Sequence, residues 1–441
     1  MADLEKGSKK LLNAWAFYDW ANSVYTLTIA SAVFPIFYEA LFSERDHYID
    51  VFGLHLKNSA LISFVTAFAF LLVAFISPLL SGIADYVGDK KSFMKFFCYL
   101  GALSCMGLYW FNLENIYIGL AFYFFGLIGY WGSLVFYNSY LPDIAYVEQQ
   151  DKISAKGYSF GYIGSVILLI INLAMIMKPK LFGITGTDGE AAMKAMRYSF
   201  VMVGVWWILF SQYTYYYLPK GNKNANRKVT HHVIFNGFKE LKKVWFLLKE
   251  NIALRRYLGS FFVYSMAVQT VMLVATYFGA QEIAWSSKAE STTGLIICIL
   301  IIQLVAVLGA VITSRASEKF GNIQTLIVIN CIWAVFCAIA FFITLPIHFY
   351  VMAGIVGLVM GGIQALSRST YSKLLPETDD TASFFSFFDV AEKIGIAIVM
   401  CTSGIIDQIA GSPRLAIVFL GVFFVVGILL LKRVPKKGVL N

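Results

Sequence analysis

Charged and polar side chains recur at helical spacing inside runs of the chain that are otherwise apolar. In the stretch NAWAFYDWANSVYTLTIASAVFPIFYEAL, from Asn13 to Leu41, the residues Asp19, Asn22, Ser23 and Thr26 follow one another at i, i+3, i+4 and i+7. That spacing puts them on one face of a helix. The run is long enough to cross a bilayer at 1.5 Å per residue. A carboxylate inside such a helix is costly and turns toward protein or a water-filled cavity. Two readings fit: a helix lining a polar path, or one that Asp19 merely anchors near the headgroups. A second group, Asp389, Glu392 and Lys393, is spaced i, i+3, i+4 and again shares a face, with an acid four residues before a base. Left unpaired, each charge would cost about 2.5–3.5 kcal/mol at the centre of a span. The group reads either as a switchable pair, in which protonating a carboxylate frees Lys393, or as a permanent ion pair.

Near the middles of other apolar runs stand Tyr25, Thr26, Tyr130, Trp131, Gln269, Gln303 and Gln364. A glutamine offers donors and acceptors without charge, which suits a zwitterionic or amide-bearing solute. Hydrogen bonding between helices would use the same side chains. Arg368 could bind a carboxylate, or be held by a backbone or loop-acid partner. Glycine rows at Gly157, Gly161, Gly164 and at Gly354, Gly357, Gly361, Gly362 permit close helix crossing. There is no G-x-x-x-x-G-K-[ST], H-E-x-x-H or Cys/His cluster, which argues against an ATPase, a zinc protease and a metal site.

Composition sets the class. Of 441 residues, 59% are hydrophobic and 14% charged, with a mean hydropathy of +0.70. Soluble domains carry about 25% charged residues, so an integral membrane protein is expected. The net charge of +9 does not point to nucleic acid. Cys98, Cys105, Cys298, Cys331, Cys337 and Cys401 all lie in apolar runs without metal-type spacing and read as small core hydrophobes. The first apolar run is too long for a cleavable signal and is expected to stay as a span.

Twelve runs of bilayer length follow: 13–41, 59–82, 93–112, 116–140, 154–177, 196–218, 256–280, 293–314, 324–345, 349–372, 384–410 and 414–431. With both termini on one side, that side carries 26 lysines and arginines and the other 8, Lys393 being the remaining one of 35. The bias places both termini in the cytoplasm. The central segment, 220–255, is basic. Its second part reads as an amphipathic surface helix, with Val233, Phe238, Leu241, Trp245 and Leu248 toward lipid and Lys239, Lys242 and Lys243 outward. His231 and His232 there read as solvated.

The two flanks of this segment repeat. Ser81-x3-Asp85-x2-Gly88 returns as Ser314-x3-Glu318-x2-Gly321, and Tyr137-x3-Leu141-Pro142-Asp143 returns as Tyr371-x3-Leu375-Pro376-Glu377. Two matches at nearly one offset argue for an internal duplication, with both copies in the same membrane orientation. These loops, with Asp85, Gly88, Asp143, Glu318, Gly321 and Glu377, are the gating candidates. Asp85 can cap a helix start in the opposite half.

The loop Ser81-Gly-Ile-Ala-Asp85-Tyr-Val-Gly88-Asp-Lys-Lys91 resembles the signature loop of the major facilitator superfamily. AWAFYDWANSVY, YNSYLPDIA, SAKGYSFGYIGS and GGIQALSRSTYSKLLPE resemble the vacuole-effluxer-like branch, named for fungal autophagy-related amino-acid exporters. The segment Ser367-Arg368-Ser369 is its most specific part. The chain departs from that pattern at Tyr264–Thr270, where the branch has Asn-Asp-Gly before Val-Gln-Thr, and at Gly395-Ile396, where it has Gly-Pro. The resemblance implies that runs one, four, seven and ten line a cavity, which disfavours Gln303 and adds Asn138 to the candidates.

The expectation is therefore an all-α membrane protein with twelve transmembrane helices. They form two six-helix bundles related by pseudo-two-fold symmetry, residues 1–219 and 256–441. By resemblance it is a secondary transporter, not an enzyme, exporting amino acids or similar small polar solutes by alternating access, with proton coupling through Asp19 and the 389–393 group. Asp19 and Lys393 should face a wet passage between the bundles. Its partners would be a small solute and the lipid bilayer, with no cofactor, metal or nucleic acid. A monomer in a bacterial inner membrane is expected. A drug or metabolite exporter, and a non-transporting scaffold or sensor acting through the basic segment, are the alternatives.

Overall fold

The computed structural model describes residues 4–42, 48–51, 53–220, 233–410 and 413–435. Almost all of it is helix. The first apolar run is one continuous rod of three parts: α1 (Lys9–Val24), a π-helical stretch Tyr25–Ala32, and α2 (Val33–Leu41). A departure from the all-helical expectation follows, a small antiparallel hairpin of β1 (Tyr48–Val51) and β2 (Leu54–Lys57), with Val51 opposite Leu54 and Gly53 at φ +77° in the turn. Then come α3 (Asn58–Val87), α4 (Lys90–Gly107), α5 (Ile116–Ser139), the short α6 (Leu141–Ile144), α7 (Val147–Met177) and α8 (Asp188–Tyr217). After the central segment stand α9 (Val233–Glu250), α10 (Ile252–Glu282), α11 (Lys288–Phe320), α12 (Asn322–Ala340), α13 (Pro346–Leu374), α14 (Thr381–Ala410) and α15 (Pro413–Leu431). Seven helical segments among the described residues are long and apolar enough to cross a bilayer.

Helix ends follow local chemistry. Gly88 ends α3 at φ +72°, a conformation that costs glycine nothing, and its N–H closes on Ala84 O. Asp89 then caps α4 by accepting from Ser92 N at 3.1 Å. Gly321, at the corresponding place between α11 and α12, also has positive φ. Thr187 and Glu190 form a reciprocal capping box at the start of α8.

The buried apolar residues fall into two main clusters. The first draws on Leu11 to Leu218 and takes in Ala382; the second draws on Val244 to Val434 and takes in Tyr162. Small residues let helices within each core touch backbone to backbone. A Cβ on Gly309 or Gly361 would run into the carbonyl of Leu358 or Ala306, so α11 and α13 cross with no side chain between them. On α7, Gly157, Gly161 and Gly164 face Asp19, Ser23 and Trp20 of α1.

Among the described residues, the first and the last lie at one end of the molecule. Lys6 donates to Pro142 O, Arg256 to Arg433 O and Asn251 to Leu374 O, which gathers the termini and the loops after α5, α9 and α13. The helix α9 also lies there, with a correction to its expected faces. Phe238 and Trp245 are exposed and Leu241 is half-buried, but Leu248 is buried in the second core beside Val244. Its lysine face is outward as expected, with Lys239, Lys242 and Lys243 all exposed, and Lys243 also reaches Asp380 at 2.6 Å. Val233's side chain, His231, His232 and the Cys401 side chain fall outside the described residues. Of the other cysteines, four are buried and Cys331 is exposed, so it is not a core residue.

Gly361→Val inserts bulk where α13 meets the Ala306 carbonyl and is expected to destabilise by about 1–3 kcal/mol. Thermal melts in detergent test this. Gly354→Ala, whose Cβ would meet only Ile301 at 4.0 Å, should melt with the parent.

Candidate functional site

Three levels of polar contact join the two cores, and they begin at the end that carries the termini. The outermost converges on the first turn of α14. Asp85, at the end of α3, accepts from the backbone N–H groups of Ala382 (3.2 Å) and Ser383 (2.7 Å) and from the Ser383 hydroxyl (2.7 Å). The free N–H groups and positive dipole of a helix start suit a carboxylate. Lys90 donates to Asp143 at 2.6 Å and to the Thr381 hydroxyl, which itself reaches Asp143. Lys243 holds Asp380 at 2.6 Å, and this hydrogen bond keeps the Lys243 ammonium above the ordinary lysine range. One turn of α14 is thus tied to α3, α4, α6 and α9.

Beside it, Asp151 near the start of α7 is buried in a receiver made by the second core. It accepts from Ser317 Oγ (2.8 Å), Asn322 Nδ2 (2.8 Å) and Lys373 Nζ (2.6 Å). The same Asn322 reaches Thr370 and Lys373. Sequence reasoning passed over Asp151, which stands in a polar loop-to-helix segment with no motif to mark it. The second-copy acids are placed differently from Asp85 and Asp143: Glu318 and Glu377 are exposed.

The second level lies deeper. Asp19 is ten residues beyond the start of α1, about 15 Å along the helix axis. It is 4% exposed and pairs with Arg368 of α13, itself 2% exposed. Both terminal guanidinium nitrogens donate to Asp19 Oδ2 at 3.2 Å, and the Tyr137 hydroxyl donates to the same oxygen at 2.8 Å. Arg368 Nε donates to Ser154 Oγ (3.0 Å), one terminal nitrogen to Ser154 O (2.9 Å) and the other to Asn138 Oδ1 (3.3 Å). Its guanidinium lies 4.2 Å from the Tyr158 ring centre, 4.8 Å from Trp15 and 5.4 Å from Tyr137. A Cβ on Gly157 would overlap the Asp19 carboxylate, so only glycine admits the pair. Asp19 is neither a headgroup anchor nor open to water, and Arg368 is held by a helix carboxylate rather than a backbone or loop acid alone. Closure of the two cores at this level removes the wet passage expected at Asp19.

The third level is the 389–393 group. Lys393 is 1% exposed and pairs with Asp389 (3.0 Å) and Glu392 (2.9 Å). Its ammonium sits 3.4 Å from the ring centre of Trp131, a cation–π contact from α14 to α5 across the interface. Gln269 of α10 donates to Glu392 at 3.0 Å. Lys393, too, is sealed in this state, whereas Glu392, Gln269, Trp131 and Tyr158 are half-buried. Nearby, Tyr162 of α7, whose ring packs into the second core, donates to Gln364 of α13 at 2.6 Å.

The remaining candidates pack beside these charges, with the Tyr130 ring 5.0 Å from that of Trp131. Tyr25 stacks on Tyr130, ring centres 4.9 Å apart, and both are buried. Thr26 turns its hydroxyl back to Ser23 O, and Asn22 Oδ1 accepts from Ser23. Asn22, Ser23, Tyr25 and Thr26 flank or lie in the π-helical stretch, where hydrogen bonds are re-spaced and functional sites are common. Among the described residues no group of three or more His, Cys, Asp or Glu is arranged to hold a metal ion.

A family model described as "Vacuole effluxer Atg22 like" matches residues 7–438. The chain is 31% identical over 426 residues to the uncharacterized MFS-type transporter YxiO of Bacillus subtilis, covering 96% of this chain and 95% of that one. It is 21% identical to autophagy-related protein 22-1 of Phaeosphaeria nodorum, covering 96% and 89%. Among solved structures, the Escherichia coli fucose:proton symporter FucP superposes with a TM-score of 0.68 at 17% identity, covering 97% of this chain and 98% of that one. FucP in an outward conformation gives a TM-score of 0.69 at 16% identity, covering 97% and 99%. The fold is that of major facilitator transporters.

Breaking a buried pair by removing one partner costs about 3–5 kcal/mol. Asp19→Asn and Arg368→Met should each lose stability on that scale. The double variant, which leaves no orphaned charge, should recover more than half of it. Thermal melts of the four proteins in one detergent measure this; additive losses would mean that the two side chains do not interact.

Proposed function

Because the chain belongs to the vacuole effluxer Atg22-like family of major facilitator transporters, we propose that it exports amino acids or similar small polar solutes by alternating access. It is a multi-pass membrane protein and not an enzyme. In this proposal twelve spans form two six-helix bundles, residues 1–219 and 256–441, joined by the basic segment 220–255. Both termini lie in the cytoplasm of a bacterial cell, as the lysine and arginine bias favours.

The observation that carries the proposal is the Asp19–Arg368 pair. Its carboxylate belongs to the first core and its guanidinium to the second, so it exists only while the cores are closed at that level. With the termini cytoplasmic, all three levels close the inner side. That is the arrangement of an outward-facing carrier. Opening inward must break the Asp85 cap, the Asp151 receiver and the Asp19–Arg368 pair.

Protons enter through the third level. Lys393 meets two carboxylates, so the group carries one negative charge more than positive when all are ionised. Protonating Glu392 removes that excess and loosens the ties to Lys393 and Gln269. A proton taken from outside and released inside would then drive solute outward by exchange. Glu392 is half-buried and is the member of the group that water can reach.

In proteoliposomes of the purified protein, an imposed pH gradient should drive radiolabelled amino-acid movement. Glu392→Gln should abolish that dependence while leaving solute-for-solute exchange. Failure to move any amino acid, peptide or drug-like solute under a gradient of either sign would overturn the reading.

A further inference from the structure

Every group that hydrogen-bonds the Arg368 guanidinium comes from the first core, although Arg368 itself comes from the second. Asp19 on α1 takes both terminal nitrogens, Ser154 on α7 takes Nε and one terminal nitrogen, and Asn138 on α5 takes the other. Trp15, Tyr137 and Tyr158 wall it with rings. This socket is held together without Arg368. The Trp15 indole donates to Tyr137 O at 2.8 Å and stacks on the Tyr137 ring, centres 4.6 Å apart. Tyr137 OH orients the Asp19 carboxylate, Lys156 of α7 bonds Asn13 of α1 at 2.6 Å, and Gly157 lets the two helices close on each other.

When the cores part at this end, the guanidinium leaves and the socket stays. A carboxylate then stands among acceptors and ring faces with no cation, an arrangement that favours capture of one. We infer that this socket is a solute site for a guanidinium group, and that Arg368 occupies it as a built-in competitor while the inner side is closed. The inference rests on the transporter reading above and names the solute class. Acceptors along two edges and rings over the faces match a planar fork of donors better than the point charge of an ammonium. The solute is thus expected to carry a guanidinium, as arginine and agmatine do.

The site should behave as a competition. In wild-type protein Arg368 fills the socket for much of the time, so the apparent affinity of an added guanidinium is lowered by the fraction of socket that is vacant. Arg368→Gln leaves the socket open and should tighten binding. Asp19→Asn removes the charge that captures the cation, and Tyr158→Leu removes a half-buried ring at its edge.

The test is calorimetric titration of arginine, agmatine and leucine into full-length protein in nanodiscs, with each variant first shown monodisperse. Arginine and agmatine should bind Arg368→Gln about tenfold more tightly than wild type, and leucine should show no such gain. Asp19→Asn should abolish guanidinium binding; should that variant not fold, Tyr158→Leu should weaken it several-fold. Equal affinity for leucine and arginine, or guanidinium binding untouched by Asp19→Asn and Tyr158→Leu, overturns the inference. Vesicle transport of leucine with no guanidinium binding sinks the inference alone and leaves the transporter reading standing. Guanidinium binding that depends on Asp19, with no solute moved in vesicles, supports the site and sinks the transporter reading.

Discussion

A charge buried at an interface must find its opposite on the other side, and this constraint orders the protein. Arg368 could not sit where it does without Asp19, Asn138 and Ser154, and Asp19 could not sit there without Gly157. The desolvation of two ions is offset only because the guanidinium fork is satisfied on both edges and stacked by rings. The α7 face therefore carries small and polar residues where an ordinary lipid-embedded helix would carry leucine. Its glycines serve packing and chemistry together: they bring α1 close enough for the carboxylate to be shared.

The same constraint recurs at each level with different partners. Asp85 meets free N–H groups, Asp151 meets a lysine, a serine and an amide, and Lys393 meets two carboxylates and the face of an indole. The contacts do not mirror the sequence repeat. In both outer contacts the first core gives the acid, through Asp85 and Asp151, while Glu318 and Glu377 of the second copy face solvent. The two matching loops share the turn, with Gly88 and Gly321 both at positive φ, but not the interaction.

Much of this was legible beforehand, for identifiable reasons. Composition and run length spoke directly for a membrane protein, because lipid imposes one length and one chemistry on every spanning segment. The motifs around Asp85, Tyr137 and Arg368 carried the family, which the match over residues 7–438 bears out. Helical spacing grouped Asp389, Glu392 and Lys393, since neighbours on one helix are fixed by sequence. Pairings between helices were not legible. Asp19 and Arg368 are separated by 349 positions, and nothing local marks either as the other's partner. Asp151 was missed for the same reason. The face of α9 was misjudged at Leu248 because an amphipathic pattern tells which residues are apolar, not whether lipid or protein receives them.

The first turn of α14 is held from four directions at once, by Asp85, by Lys90 with Asp143 through Thr381, by Lys243 through Asp380, and by the Tyr371 hydroxyl on Phe384 O. The first two of these come from the first core and the last two from the second, so when the cores part the turn loses half of its tethers and stays fastened to its own side by the rest.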